Sequence, residues 1–508
     1  MAFWKKFRNQ REETDEDDED DVESYLIEIT YVNGKALRGI SGEKALKRLL
    51  KAASNGNAAA QLELGSMYEN GEGVEQSYEE AARWYAEAAE QGNEDAQNSL
   101  GVLYYYGRGV EQSFDEAVKW FRMAAEQDNL DAVCNLGEMY RDGEGVEQSY
   151  AVAIELFERA AEEDHGVALL DLGDMYLEGK GVEQSYDEAT EYYENSESAG
   201  NLDAKCRLGD MCCEEEDYDS AAEYYEEAAD EGHADAQYKL GLLCMTGDGV
   251  EKSYEDALEL LNSAADQGHD GAMCALGNMY RDGRGALQSY DAAVNWYSKS
   301  VEQGNVEAMY SLGCLYLKGH GVEQSYSKAA DLFGRAVDGG SIDAAYNLAV
   351  LYTQGMGVGQ SYDRAVDLYW KAVIGGNFDA YHNLAILYSE GEGVEQSYRK
   401  AAELYEMAAD QGDVFSMYNL AVMYMNGQGV EQSYDKAREF LEKASACGDG
   451  KAAYTLGVMY EAGLGVEQSL VKAAQKYREA MSKGESEQAE KALDALIREH
   501  PSLLKYRI

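Results

Sequence analysis

One proline, Pro501, serves a chain of 508 residues. Nothing before it breaks a helix for lack of an amide donor, which excludes architectures punctuated by proline turns. Basic residues are scarce too: 43 Lys and Arg face 97 Asp and Glu, a net charge of −54. Phosphate backbones are bound through basic side chains, so nucleic acid is excluded as a partner, and anionic membranes should repel the body of the chain. No run approaches the roughly 20 apolar residues of a membrane span. The opening residues have no apolar stretch before the acids begin, so no secretory signal is recognised and a cytoplasmic location is expected. The eight cysteines show neither CxxC spacing nor a pairing scheme. They read as reduced, buried, small hydrophobes.

What is present points to helices. Hydrophobic residues make up 45% and charged residues 28%, enough for an interior and a solvated exterior. Residues 1–24 read as a disordered charged tail, with nine acids in the ten positions 12–21. At its tip, Phe3, Trp4 and Phe7 alternate with Lys5, Lys6 and Arg8, read either as an amphipathic anchor or as a mobile end. Residues 25–56 predict a small β-hairpin around Asn33-Gly34, followed by a capping helix over 43–54.

A repeat then takes over. Gly-Val-Glu-Gln-Ser-Tyr stands at 73–78, 145–150, 181–186, 321–326, 393–398 and 429–434, with close variants between. Every step is 36 residues except one of 68, from Gly181 to Gly249, where a shortened unit fits. Twelve helix–loop–helix units follow: four over 57–202, the short one at 203–231, and seven over 232–484. Residues 485–508 supply a C-terminal capping helix and tail. In the first unit, Ala60, Leu64, Gly65, Met67 and Tyr68 give helix A an apolar stripe, and Gly71 ends it in a left-handed cap. Ser77 is the N-cap of helix B with Glu80 completing a capping box, and Ala81, Trp84, Tyr85, Ala88 and Ala89 are its buried face. No pair of helices can bury both its faces alone, so the units must stack.

The pattern Ala60-x-x-x-Leu64-Gly65-x-x-Tyr68-x-x-Gly71-x-Gly73, then Ser77-Tyr78-x-x-Ala81-x-x-Trp84-Tyr85-x-x-Ala88-Ala89, closely resembles the Sel-like repeat (SLR) family, a branch of the tetratricopeptide-type repeats. The resemblance covers about four-fifths of the chain. It implies an all-α, right-handed α/α superhelical solenoid with helix A on the concave face. It also implies a non-enzymatic scaffold or adaptor that binds a protein or peptide.

Ser-x-x-Lys at Ser325/Lys328, Ser397/Lys400 and Ser433/Lys436 matches the nucleophile motif of serine β-lactamases, and some secreted relatives in the family have been called β-lactamases. The partner motifs Ser-Asp-Asn and Lys-Thr-Gly are missing and the serines sit where N-caps belong, so no catalytic residue is expected. The Gly-x-Gly repeats are turn geometry rather than a phosphate loop. His165, His233 and His269 recur in turns, where polar residues are commoner than ligands; no metal and no cofactor is expected.

The candidate binding residues lie on helix A, two and three positions after the repeat alanine: Tyr310, Tyr346, His382, Tyr418 and Tyr454, with Asn347, Asn383 and Asn419. In the N-terminal half the first of these positions holds Leu62, Asn98, Cys134, Leu170 and Cys206, then Tyr238 and Cys274. An aromatic ladder flanked by amides suits a bound peptide. Packing between units is the competing reading, favoured for the tyrosines, with binding favoured for the asparagines. A further alternative is that the acidic surface itself attracts basic proteins.

Overall fold

The computed structural model describes residues 40–507. The acidic tail, its aromatic–basic tip and the hairpin expectation lie outside the described residues. The described chain contains 26 α-helices and a closing 3₁₀ segment, with no strand among the described residues. It divides into two compact bodies, Met1–His233 and Ala234–Ile508. In the first, a leading helix Ile40–Ser54 precedes repeats 1–5; it begins three residues before the expected 43. In the second, repeats 6–12 are followed by helix Ser486–Glu499 and the segment Pro501–Tyr506. Within each body, every helix packs chiefly against its neighbours in sequence.

Repeat 9 shows why the unit folds. Its helix A, Ile342–Gln354, starts at Ser341, whose hydroxyl accepts the Ala344 N–H at 3.3 Å. In five other repeats an Asn serves there, Asn57, Asn93, Asn129, Asn201 and Asn305, and elsewhere a His or Asp does, as at His165 and Asp413. In these repeats the residue that closes one unit caps the next and satisfies a donor at the helix start. Gly355 ends helix A in the left-handed region, φ 68°. The loop folds back: Ser361 N–H donates to Tyr352 C=O (3.1 Å) and the Gln360 amide donates to Thr353 C=O (2.8 Å). The same glutamine bond recurs at Gln76, Gln112 and Gln148, among others, which accounts for the Gln of the repeated hexapeptide. Helix B, Tyr362–Ile374, then starts on the Ser361 hydroxyl.

The core is small against large. The repeat alanines Ala308, Ala344 and Ala380 are fully buried. One turn on, helix A presents Gly313, Ala349 and Ala385 to the helix B aromatics Phe333, Tyr369 and Tyr405. A Cβ on Gly313 would lie 2.7 Å from the Phe333 ring. At the C-terminal end Ala489, Leu493 and Leu496 cover Tyr477 and Ala473. At the other end Ala53, with Leu46, Leu49 and Leu50, packs on Leu64 and Trp84. Each body thereby has the apolar face of its terminal repeat covered.

In the shortened repeat 5, helix A is Leu202–Glu214 and helix B is Tyr218–Asp230. Only three residues connect them, with Glu216 at φ 62° and Asp217 as N-cap. No described helix is long and apolar enough to cross a membrane. The eight cysteines form no disulfide.

Candidate interaction surface

All eight candidate residues lie in the body Ala234–Ile508, on helix A of repeats 8–12, and all are half-buried. Four of the five aromatics are backed by the helix B aromatic of their own repeat; in repeat 11, which carries Tyr418, that helix B position is Leu441. Ring centroids are 5.9 Å apart for Tyr310–Phe333, 6.0 Å for Tyr346–Tyr369, 5.8 Å for His382–Tyr405 and 5.6 Å for Tyr454–Tyr477. The amides link repeats: Asn347 donates to the Tyr310 hydroxyl (3.5 Å) and Asn383 to the Tyr346 hydroxyl (3.2 Å). Asn419 instead reaches the Tyr405 hydroxyl. Tyrosine and asparagine thus form one inter-repeat lattice that still leaves part of every side chain open to solvent. Burial, followed by Cys314, pushes the Tyr310 phenol up to about 12, so this hydroxyl is neutral at physiological pH.

His382 interrupts the tyrosines. Its Nδ1 lies 3.0 Å from Asp413 Oδ2, the carboxylate that caps helix Val414–Asn426 by accepting the Ser416 N–H, and 2.8 Å from the Ser416 hydroxyl.

Beside this row the surface turns apolar. Ile374, Phe415 and Phe378 are 83%, 67% and 50% exposed, and Phe415 lies 6.2 Å from His382. A shallow cavity of about 440 Å³ opens here, lined by Ile342, Asp343, Asn377, Phe378 and Asp379. The local frame is irregular: helix Asp379–Glu390 has no side-chain cap, and the buried Asn377 Oδ1 has no partner. Two of these residues, Ile374 and Phe415, were readable from sequence by aligning repeats. Ile374 stands where other repeats carry Glu90, Glu126, Asp266, Glu302 and Asp410, and Phe415 where they carry Asp95, Asp131 and Asp235. A search for apolar residues at acidic positions finds them; a search for aromatic helix A positions does not.

In the body Met1–His233 the equivalent row is mixed, with charges at Glu63, Asp171 and Arg207. Asn135 donates to Asn98 (2.8 Å), repeating the amide link, but the next position is Asp171. Its side chain is only 9% exposed; one oxygen pairs with Arg141 at 2.6 Å and the other is buried without a partner. Burial, reinforced by Glu138 and opposed by Arg141, pushes this carboxyl up to about 7. A folded pKa above the unfolded 3.8 means that stability is full below about pH 4 and falls as pH rises through 7. Asp171→Asn keeps the shape and removes the ionisation. It should match the parent near pH 4 and exceed it by about 2 kcal/mol at pH 8, read from urea unfolding of amide-exchange-protected sites in this body. An equal loss at both pH values would contradict the assignment.

His165 and His233 each join two neighbours: Cys134 Sγ at 3.2 Å and Asp131 at 3.1 Å for the first, Cys206 Sγ at 3.2 Å and Asp203 at 3.0 Å for the second. His165 Nδ1 also accepts the Ala168 N–H, so it caps the helix Gly166–Glu178 and its Nε2 proton goes to Asp131. Cys134 is 2% exposed and burial pushes its thiol far up, opposite to what a nucleophile needs. Among the described residues, no group of three or more His, Cys, Asp and Glu could hold a metal ion.

The Ser-x-x-Lys serines are helix caps. Ser325, Ser397 and Ser433 each accept the backbone N–H of their own lysine at 3.3–3.4 Å, while the ammonium groups lie over Tyr316, Tyr388 and Tyr424 at 4.9, 5.0 and 4.9 Å.

The Sel1 repeat profile matches this chain twelve times, over 58–93, 94–129, 130–165, 166–201, 203–233, 234–269, 271–305, 306–341, 342–377, 378–413, 414–449 and 450–484. No curated protein sequence matches. Among solved structures, the chain is similar to a protective antigen present in uropathogenic Escherichia coli strains and displaying an SLR fold. That match has 29% identity over 91% of this chain and 92% of that one, with a TM-score of 0.53. A Sel1 repeat protein from Oxalobacter formigenes is 30% identical over 47% of this chain and 96% of its own, with a TM-score of 0.43.

Proposed function

The chain belongs to the Sel1 repeat family, and we propose that it is a scaffold whose repeats 8–12 hold a polypeptide segment along the helix A row. The observation that supports this is a continuity. Half-buried phenols and amides run from Tyr310 to Tyr454, Phe415 and Phe378 lie exposed beside His382 and Tyr381, and Phe415 and Ile374 stand where other repeats place acids. Exposed apolar side chains beside ordered hydrogen-bonding groups are what a protein interface buries. The aromatics would supply contact area at small entropic cost, and Asn347, Asn383 and Asn419 would direct amide groups to the backbone of an extended ligand.

The test is replacement of Asn347, Asn383 and Asn419 together by Ala. Affinity for the partners recovered with the parent chain should fall about tenfold or more, while the thermal unfolding profile shifts little. Retention of every such partner at parental affinity would end this reading. Loss of binding accompanied by loss of the fold would be resolved by Phe415→Ser, which touches the exposed part alone and should weaken the same partners.

A further inference from the structure

We propose that repeats 8–12 carry a second interaction surface, a row of tyrosine-mounted cations that docks a polypeptide segment with spaced acidic residues. The third residue of helix B is Glu80, Glu116 and Glu188 in early repeats, and Asp256 in repeat 6. From repeat 8 onward it becomes Lys328, Arg364, Lys400, Lys436 and Lys472, all exposed. Each cation lies over the ring of a helix A tyrosine twelve residues earlier: 4.9 Å above Tyr316, 5.4 Å above Tyr352, 5.0 Å above Tyr388, 4.9 Å above Tyr424 and 5.1 Å above Tyr460.

Two features separate this row from an ordinary solvated face. Acids outnumber bases by more than two to one in the chain, yet none of the five cations is ion-paired among the described residues. The carboxylates one turn further on look elsewhere, Glu403 to Arg399 at 3.1 Å and Glu439 to Lys443 at 2.9 Å. In the first two repeats the order is reversed and the charges are neutralised, Glu80 pairing with Arg83 and Glu116 with Lys119, each at 2.8 Å. Second, a cation in the first turn opposes the helix dipole, so helix stability does not select it. Stacking on tyrosine offsets that cost and holds each charge at a fixed place.

The occupant follows from the charges beside the row. Asp331, Asp367, Glu403 and Glu439 stand one turn beyond the cations. A nucleic acid strand carries a phosphate about every 3.4 Å and meets those carboxylates unavoidably. A peptide can set an acid opposite each cation and a neutral residue opposite each carboxylate. At physiological ionic strength the chain's overall negative field is screened beyond about 8 Å, while contact pairs persist. This surface lies six residues along helix A from the Tyr310 series, so it does not depend on that series binding anything.

The experiment uses the full chain and a fluorescent peptide of Glu-Gly-Ser repeats at 0.15 M salt, with a Gln-Gly-Ser peptide and a single-stranded oligonucleotide as the other arms. The glutamate peptide should bind at least about tenfold more tightly than the glutamine peptide. That preference should vanish in the chain carrying Lys328→Gln, Arg364→Gln, Lys400→Gln, Lys436→Gln and Lys472→Gln, and survive when the four lysines become arginine. The Gln variant should retain its thermal stability, since it removes cations from the positive helix ends. An equal response to both peptides, preference for the oligonucleotide, or undiminished binding by the Gln variant would overturn the proposal.

Discussion

Gly357→Ala should cost about 3–5 kcal/mol, among the largest losses expected from adding one methyl group in the repeat loops of the second body. Gly357 is at φ 71°, where an L side chain is strained by about 1–2 kcal/mol. The added Cβ would also overlap the backbone of Tyr326 and Ser327, the start of helix B in the preceding repeat. A backbone obstacle does not rotate away as a side chain can. Relief requires repeats 8 and 9 to separate, which would uncover Phe333 and Leu351. Gly355→Ala is the matched control. It has almost the same φ, 68°, but its Cβ would meet only Gln360, the side-chain Cβ at 3.2 Å and the backbone N at an ordinary 3.5 Å. Its cost should stay near the strain alone, about 1–2 kcal/mol. Amide exchange across repeats 8 and 9 distinguishes the two: Gly357→Ala should lose protection in both repeats, and Gly355→Ala only at its own loop.

Tyr369→Ala should cost about 3–5 kcal/mol and disorder the Tyr346 side chain as well. Tyr369 is 1% exposed and fills the space between Ala349 and Tyr346. Its removal leaves a cavity directly beneath the proposed binding row. Tyr369→Phe gives up only the contact of its hydroxyl with Thr353, at 3.4 Å, and should cost no more than about 1 kcal/mol. Denaturant unfolding gives the energies. The fluorescence or aromatic NMR signals of Tyr346 report the loosening. Equal effects of the two substitutions would mean that the hydroxyl, not the ring volume, is the support.

The architecture was legible because the repeat states each local rule twelve times. Ser77, Ser113 and Ser185 announce N-caps with a glutamate three residues on, and the serines that precede lysine cap in the same way. Three roles were not legible. Asn93 reads as the end of one unit, and only the packing of consecutive units makes it the cap of the next. The second loop glycine reads as turn chemistry, whereas at Gly109 and Gly357 its stricter demand comes from the helix of the previous repeat, 31 residues away in sequence. The lysine of Ser-x-x-Lys reads as a partner of its serine, and the ring that holds it stands on another helix. In each case the missing information is a contact between elements rather than a property of one.

The candidate row was legible as a periodic series of aromatics and amides, and its packing partners were not. The expectation that tyrosines pack and asparagines bind divides a single lattice, since Asn347 and Asn383 hold the hydroxyls of Tyr310 and Tyr346. The apolar extension lies at repeat junctions rather than on the helix A stripe, so Ile374 and Phe415 emerge only when the repeats are aligned, and Phe378 does not.

The most direct test of the central claim places a photoreactive amino acid at Tyr346 or Tyr418, and at Glu75 in a distant loop as control, in the full chain in its native cell. Activation should attach one polypeptide segment to positions 346 and 418, and none to position 75. A partner that attaches equally from all three positions, or that co-purifies yet attaches from neither row position, would contradict a binding function for the helix A row of repeats 8–12.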